Sequence, residues 1–298
     1  MGAGDSGASR YDKLMALRVD GRRVTYTDRE TMLYAHSVGM GQDLRDPAEM
    51  RFVSEYAGLA AMPTLSTVVA SAGLLQSSGL DFSRVLHAQQ TVILHRPMPV
   101  AADLIFDAHV SAIYDKGPGR GSIVAQNVEV RNVADGKPLV TLVSTILARG
   151  DGGLGGPPSP PTPAANPIPE RAPDAQVALQ TRRDQALLYR LNGDRNPLHI
   201  DAAMASRLNM PAPILHGLCT YGIACRAVLQ AACGNDPTRM RSFDARFSSP
   251  VYPGETVVTS VWVDGDVASF RCTVAERQAV VIDHGRALLG SAAGRRQD

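Results

Sequence analysis

The sequence predicts an α+β protein made of two antiparallel-sheet repeats, the second wrapped around a long central helix. Three observations carry this. Residues 150–169 (GDGGLGGPPSPPTPAANPIP) are saturated with Gly and Pro and divide the 298-residue chain into nearly equal parts. Such a segment holds neither a helix nor a central strand and reads as an extended linker. Each part carries alternating runs rich in Val, Ile, Leu and Thr, the pattern of half-buried strands. Residues 217–232 are apolar nearly all round, as a fully buried helix is, and the first part has no equal.

The elements follow in order. A helix is expected over 28–39 with Thr27 as its cap, then strands over 85–94, 102–114, 122–132 and 138–148. Gly117, Gly119 and Gly121, and later Gly136, supply the hairpin turns. In the second part a helical segment over 181–192 leads into a turn, a short helix covers 202–208, and the buried helix follows. Strands are expected over 240–247, 255–263, 268–275 and 279–289, with Pro250, Pro253 and Gly254 turning between the first two. Each part therefore reads helix first, then meander. The divisions are an N-terminal repeat over 1–149, a linker over 150–175 and a C-terminal repeat over 176–298. Where the second part has its long helix, the first has only 62–71, limited by Pro63, which leaves room for a ligand tail.

Composition excludes several classes. Thirty Lys and Arg against 29 Asp and Glu leave +1, so no global field favours nucleic acid or a membrane surface. No apolar run reaches the roughly 18 residues of a membrane span. Met1 to Ser9 is small and polar and reads as a tail, neither a secretion signal nor an acylation site, and the C-terminal GRRQD is no peroxisomal address. A cytoplasmic protein is expected. Cys219, Cys225, Cys233 and Cys272 form no C-x-x-C pair and read as buried thiols of a reducing compartment. A reactive thiol at Cys219, close to His216, is the sharper alternative. The dispersed histidines offer no metal-ligand spacing, and there is no Gly-x-Ser-x-Gly elbow.

Residues 189–201 read YRLNGDRNPLHID. Gly193 releases the chain from helical geometry, and Pro197 forces a turn before His199. Asp194 and His199 are thus held on one rigid turn, a carboxylate and an imidazole able to take one proton and give another. Asn196 is both a turn-former and an amide able to hold water. Asp201 reads as the cap of the helix at 202. Residues 213–220, PILHGLCT, place Gly217 at the start of the buried helix, where backbone N–H groups and the helix dipole favour developing negative charge. His216 reads as structural.

The long pattern Tyr189-x-Leu-Asn-Gly-Asp194-x-Asn196-Pro-Leu-His199 resembles the signature of type 2, (R)-specific enoyl-CoA hydratases of the MaoC-like dehydratase group. The resemblance extends from about Tyr34 to Leu289 and implies a double hot-dog fold with a degenerate N-terminal repeat and a catalytic C-terminal one. It implies reversible addition of water across a trans-2-enoyl-CoA, giving a (3R)-hydroxyacyl-CoA. Asp194 and His199 would hold the catalytic water, with Asn196 beside them and Gly217 as the oxyanion-hole residue. Substrate contacts would come from Arg195, Pro197 and Leu198 on the turn, from Phe247, from Lys116 at a hairpin tip, and from His87 and Ala88. The family often has His-Gly at that last place, so Ala88 keeps a backbone contact but makes close approach less open.

No cofactor is implied, since coenzyme A is part of the substrate, and a homodimer is expected from the family alone. Two other readings compete. One is a dehydratase acting on acyl carrier protein thioesters. The other is a non-catalytic acyl-CoA-binding subunit, against which the intact turn of the second repeat argues.

Overall fold

Ten strands pair antiparallel into one sheet: β1 (Arg18–Tyr26), β2 (Val85–Leu94), β3 (Ala102–Asp115), β4 (Ser122–Asn132), β5 (Pro138–Ala148), β6 (Ala175–Gln180), β7 (Met240–Phe247), β8 (Thr256–Asp264), β9 (Val267–Val274) and β10 (Ala279–Leu289). The computed structural model describes residues 9–159 and 166–290. The N-terminal tail, the middle of the linker and the C-terminal pentapeptide named above lie outside the described residues.

The strand order is β1-β3-β4-β5-β2-β7-β10-β9-β8-β6. Both halves of this order share one topology, each with its first strand at the outer edge and its second strand at the centre. The halves meet where β2 pairs with β7, from Gln89↔Arg246 to Ile93↔Ser242. The chain thus makes two similar units that share a single seam.

The expected helix-first order needs correction, because in each half an edge strand precedes the expected helix. β1 reads RVDGRRVTY, with four charged residues and Gly21 at φ 62°, and most of it is exposed. Only Val19, Val24 and Tyr26 of this strand meet the core, so its pattern is weak, and charge on an edge discourages further pairing. β6 does alternate, but it is only six residues long and begins at Ala175, where the Pro-rich segment was expected to end. The first part of that segment is not free. Asp151 and Leu154 are buried, and the Asp115 carboxylate accepts N–H bonds from Gly153 (2.9 Å) and Gly155 (2.8 Å).

The helices are α1 (Arg10–Met15), α2 (Asp28–Ser37), α3 (Pro47–Met50), α4 (Ser66–Val69), α5 (Gln185–Tyr189), α6 (Ala202–Arg207) and α7 (Gly217–Cys233). Thr27 caps α2 in a reciprocal box with Glu30, whose carboxylate accepts the Thr27 N–H at 2.8 Å. The helix expected over 181–192 is shorter: α5 tightens into a 3-10 turn over Arg190–Asn192, and Gly193 at φ 117° ends it. In the first half α4 has four residues, and the turns around it carry Met62, Leu65, Leu74 and Leu75 into the core. The space expected for a ligand tail therefore already contributes apolar side chains to the packed interior.

Most of α7 is buried, and Gly222 shows how tightly α2 lies against it. A Cβ there would stand 2.5 Å from Val38 Cγ1 and 2.9 Å from the Tyr34 hydroxyl. Glycine inside a helix costs about 1 kcal/mol relative to alanine, so close approach is what the position provides. Gly222→Ala regains that propensity but overpacks the contact, and a net loss of about 1–2 kcal/mol is expected in urea unfolding.

Candidate active site

The turn between α5 and α6 is built by its own side chains. Asp194 Oδ1 accepts the Asn196 N–H at 3.1 Å, and Asn196 Oδ1 accepts the Leu198 N–H at 3.0 Å. Pro197 opens the single 3-10 turn Pro197–His199, which points His199 inward. Asp201 caps α6, accepting from Ala203 at 2.8 Å and Met204 at 3.3 Å, so its carboxylate is committed to structure. Asp194 remains half-exposed, while the His199 side chain is 9% exposed.

The two functional groups are brought together. His199 Nδ1–H donates to the Ile214 carbonyl at 2.9 Å, which leaves the Nε2 lone pair facing Asp194 Oδ2 at 4.0 Å. One water donating a hydrogen bond of ~2.8 Å to each acceptor would see them at an angle of about 90°, close to its own geometry. Burial holds the His199 pKa below that of a free imidazole, against the pull of Asp194, and so favours the neutral ring that can accept.

His216 is nearer the chemistry than its sequence context suggested. Its ring stacks on His199 with centroids 3.7 Å apart and planes at 27°, and Tyr189 tilts against it at 4.9 Å. Its Nε2–H donates to the Asp194 carbonyl at 3.2 Å, and Nδ1 is buried with no protein partner. Burial first, then the neighbouring His199, lowers its pKa to about 4. The ligand atoms of Asp194, His199 and His216 lie within 4.8 Å of one another, a cluster no sequence spacing revealed. Two nearly parallel imidazoles do not aim their in-plane lone pairs at one point, so the trio fits a stacked support for His199 better than an ion cage.

Gly217 opens α7 directly behind this stack. Its N-cap, His216, gives no side-chain bond to the first turn, so the initial N–H groups are left for another acceptor. A Cβ at Gly217 would sit 3.6 Å from the Phe247 ring and fill the gap between that ring and the helix start. Phe247 in turn contacts His87 of β2, with ring centroids 4.9 Å apart. Both repeats therefore contribute to one site. His87 bonds the Gln89 carbonyl at 3.1 Å, and burial lowers its pKa to about 4 although Asp194 works the other way.

The remaining expected residues are more dispersed. Ala88 falls at the bulge of β2 between His87 and Gln89. Leu198 is buried, whereas Arg195 and Pro197 are exposed on the outside of the turn. Lys116 lies at the β3–β4 hairpin tip, where its N–H donates to the Gly121 carbonyl at 3.1 Å, and among the described residues no hydrogen bond or ion pair joins it to the catalytic turn. Cys219 is buried, its thiol pKa is pushed well above the usual value by burial, and its Sγ–H donates to the Ser37 carbonyl at 3.5 Å. Those are the properties of an inert core thiol.

The buried histidines make stability depend on pH. In the unfolded chain His87 titrates near 6.5, in the folded chain near 4. The unfolded state thus binds more protons between these values, so this contribution is fully present above pH 6.5 and lost as pH falls toward 4. Between pH 7.5 and 5 His87 is expected to remove about 2 kcal/mol of unfolding free energy. Urea titrations at the two pH values measure it, and His87→Gln should lose correspondingly less.

The chain is similar to several known proteins. The MaoC like domain matches residues 164–284, and the MFE-2 hydratase 2 N-terminal domain matches residues 24–150. The 3-hydroxyacyl-thioester dehydratase Y of Mycobacterium tuberculosis is 39% identical over 271 residues, 87% of this chain and 91% of that one. The peroxisomal enoyl-CoA hydratase 2 of Arabidopsis thaliana is 34% identical over 288 residues, 91% of this chain and 93% of its own length. The crystal structure of a MaoC-like dehydratase from Phytophthora capsici superposes with a TM-score of 0.83 at 31% identity, covering 95% of this chain and 99% of that one. The ten-stranded sheet is a double hot-dog, and the chain belongs to the MaoC-like dehydratase family, in the two-repeat form that carries a hydratase 2 N-terminal domain.

Proposed function

We propose that the protein is a hydro-lyase that adds water reversibly to a trans-2-enoyl-CoA to give a (3R)-hydroxyacyl-CoA, with catalysis in the C-terminal repeat and carrier contacts shared with the first. The observation that carries this reading is the 4.0 Å gap between Asp194 Oδ2 and His199 Nε2, set beside the open N-terminus of α7. The names of relatives at 34–39% identity, enoyl-CoA hydratase and 3-hydroxyacyl-thioester dehydratase, point to the same reaction in its two directions.

The chemistry follows from the geometry. The β-carbon of a conjugated thioester is weakly electrophilic, and attack on it sends an electron pair to the carbonyl oxygen. The N–H groups at Gly217 stabilise that enolate oxygen, in a gap that any side chain at 217 would narrow. The Asp194–His199 pair takes a proton from water as its oxygen bonds to Cβ. As the enolate collapses, the pair returns a proton to Cα and ends as it began. Asn196 fixes the turn, and in this reading its side-chain N–H groups help to hold the water. No cofactor takes part, because side chains and backbone supply every charge and proton. A hydratase is expected to consume the conjugated-enoyl absorbance of a series of enoyl-CoA substrates. Measurable acyl-CoA binding without hydration at any chain length would favour the non-catalytic reading.

Among the described residues no helix is long and apolar enough to cross a membrane. The four free, buried cysteines suit a reducing compartment and support a cytoplasmic location. Leu187 and Leu191, 56% and 60% exposed and one helical turn apart, support burial in a homodimer.

A further inference from the structure

The seam between the repeats carries a second feature at the same strand ends as the site. A groove of about 450 Å³ crosses it, lined by Ala88 and Gln89 of β2, Tyr114 of β3, Arg246 and Phe247 of β7, and His284 of β10 among others. Ala245 is fully buried in the core, so strand alternation turns Arg246 to the other face of the sheet, beside its cross-strand partners Gln89 and Asp283. The groove and the Asp194–His199 turn therefore approach the same end of the seam and meet at Phe247, whose ring faces Gly217.

Two arginines and two carboxylates share this seam, and they pair unevenly. Asp283 is held by Arg271 in a two-pronged pair of 2.8 and 3.2 Å. Asp244, two residues before Arg246, accepts from Gln89 and Thr91. Among the described residues no carboxylate is paired with Arg246, which stands half-buried in the groove. A slightly larger cleft of about 510 Å³ on the first half differs in this respect. Its arginines are taken, Arg96 by Asp135 and Arg131 by Asp107. That cleft also holds Lys137, beside the carboxylates of Asp107 and Glu129, whereas the seam groove is the one that reaches Phe247 and the start of α7. The groove's Tyr114 end also leads into the hairpin that carries Lys116 and Arg120.

We propose that Arg246 is the anion contact for the phosphorylated carrier of the thioester, gripping a phosphate in the seam groove while the acyl end reaches round the strand ends to Gly217. A guanidinium offers paired N–H donors that match two phosphate oxygens, and partial burial reduces competition from water. The inference rests on the coenzyme A thioester reading. It extends that reading by naming a residue that no sequence motif marked and by placing the carrier across both repeats.

The test compares the whole chain with Arg246→Gln and Arg246→Lys on one enoyl group carried either by coenzyme A or by N-acetylcysteamine, which has no phosphate. Arg246→Gln is expected to lower kcat/KM for the coenzyme A thioester about tenfold or more, through KM, and to leave the N-acetylcysteamine thioester unchanged. Arg246→Lys should recover part of the loss, since it keeps the charge but not the fork. Equal losses on both carriers would mean that the strand itself is damaged, and no loss on coenzyme A would mean no contact; either overturns the proposal. Calorimetric binding of free coenzyme A reads the contact without turnover. Weaker binding by Arg246→Gln supports it even if hydration fails, and equal binding by the two proteins contradicts it.

Discussion

Asp194→Asn and His199→Gln are each expected to lower kcat for enoyl-CoA hydration by about 10²–10⁴-fold while the chain still folds. The fold should survive because both substitutions keep what the turn needs. Asparagine retains an oxygen to accept the Asn196 N–H, and glutamine keeps a polar side chain of about the length of the imidazole, with no charge to bury. Both lose proton transfer. Asparagine cannot take a proton from water, and glutamine offers no basic nitrogen at the Nε2 position, 4.0 Å from Asp194. Because one water is shared between the groups, the double variant should be little worse than either single one. Near-normal turnover of either variant, with an unchanged circular dichroism spectrum, would remove the pair from the chemistry.

The second large effect is on stability. Arg226 projects from the middle of α7 and is buried, and its guanidinium pairs with Glu49 of α3, with Nε–Oε1 at 3.0 Å and a second bond from Nη2. The other carboxylate oxygen accepts the Gly41 N–H at 3.0 Å. The first repeat thus clamps the helix whose N-terminus forms the site. Glu49→Ala leaves a buried, unpaired guanidinium and is expected to cost about 3–5 kcal/mol. Adding Arg226→Met should return much of that loss, because desolvation of the lone charge, not the pair itself, dominates the penalty. Urea unfolding of the two single variants and the double variant measures this. A double variant as unstable as Glu49→Ala would show that the contact matters for shape and not for charge.

Much of the fold was legible because buried strands and helices state their environment in their periodicity. β2, β4, β5, β7 and β10 have the expected limits, since runs of β-branched and apolar residues bounded by turn residues mark where each begins and ends. β1 and β6 were hidden because edge strands answer to water and to negative design more than to a core. The helix before the turn was read too long, because apolar composition does not show where an α-helix tightens into a 3-10 turn. The acid–imidazole turn was legible because Gly193, Asn196 and Pro197 are local geometric instructions. The stack of His216 on His199, the reach of His87 across to Phe247 and the isolation of Arg246 were not. The His199–His216 stack depends on how the turn folds back against the start of α7, and the other two depend on the β2–β7 pairing, which joins strands far apart in the chain.

The central claim is that one turn delivers both fragments of a single water to one face of the thioester. Hydration of a trans-2-enoyl-CoA in deuterium oxide tests it most directly, with the product's configuration read at both carbons. The expected product is a (3R)-hydroxyacyl-CoA with deuterium at Cα on the same face as the new hydroxyl, because Asp194 and His199 handle proton and oxygen from one side. Deuterium on the opposite face, or scrambled between faces, would contradict it, since a second group or bulk solvent would then have supplied the proton.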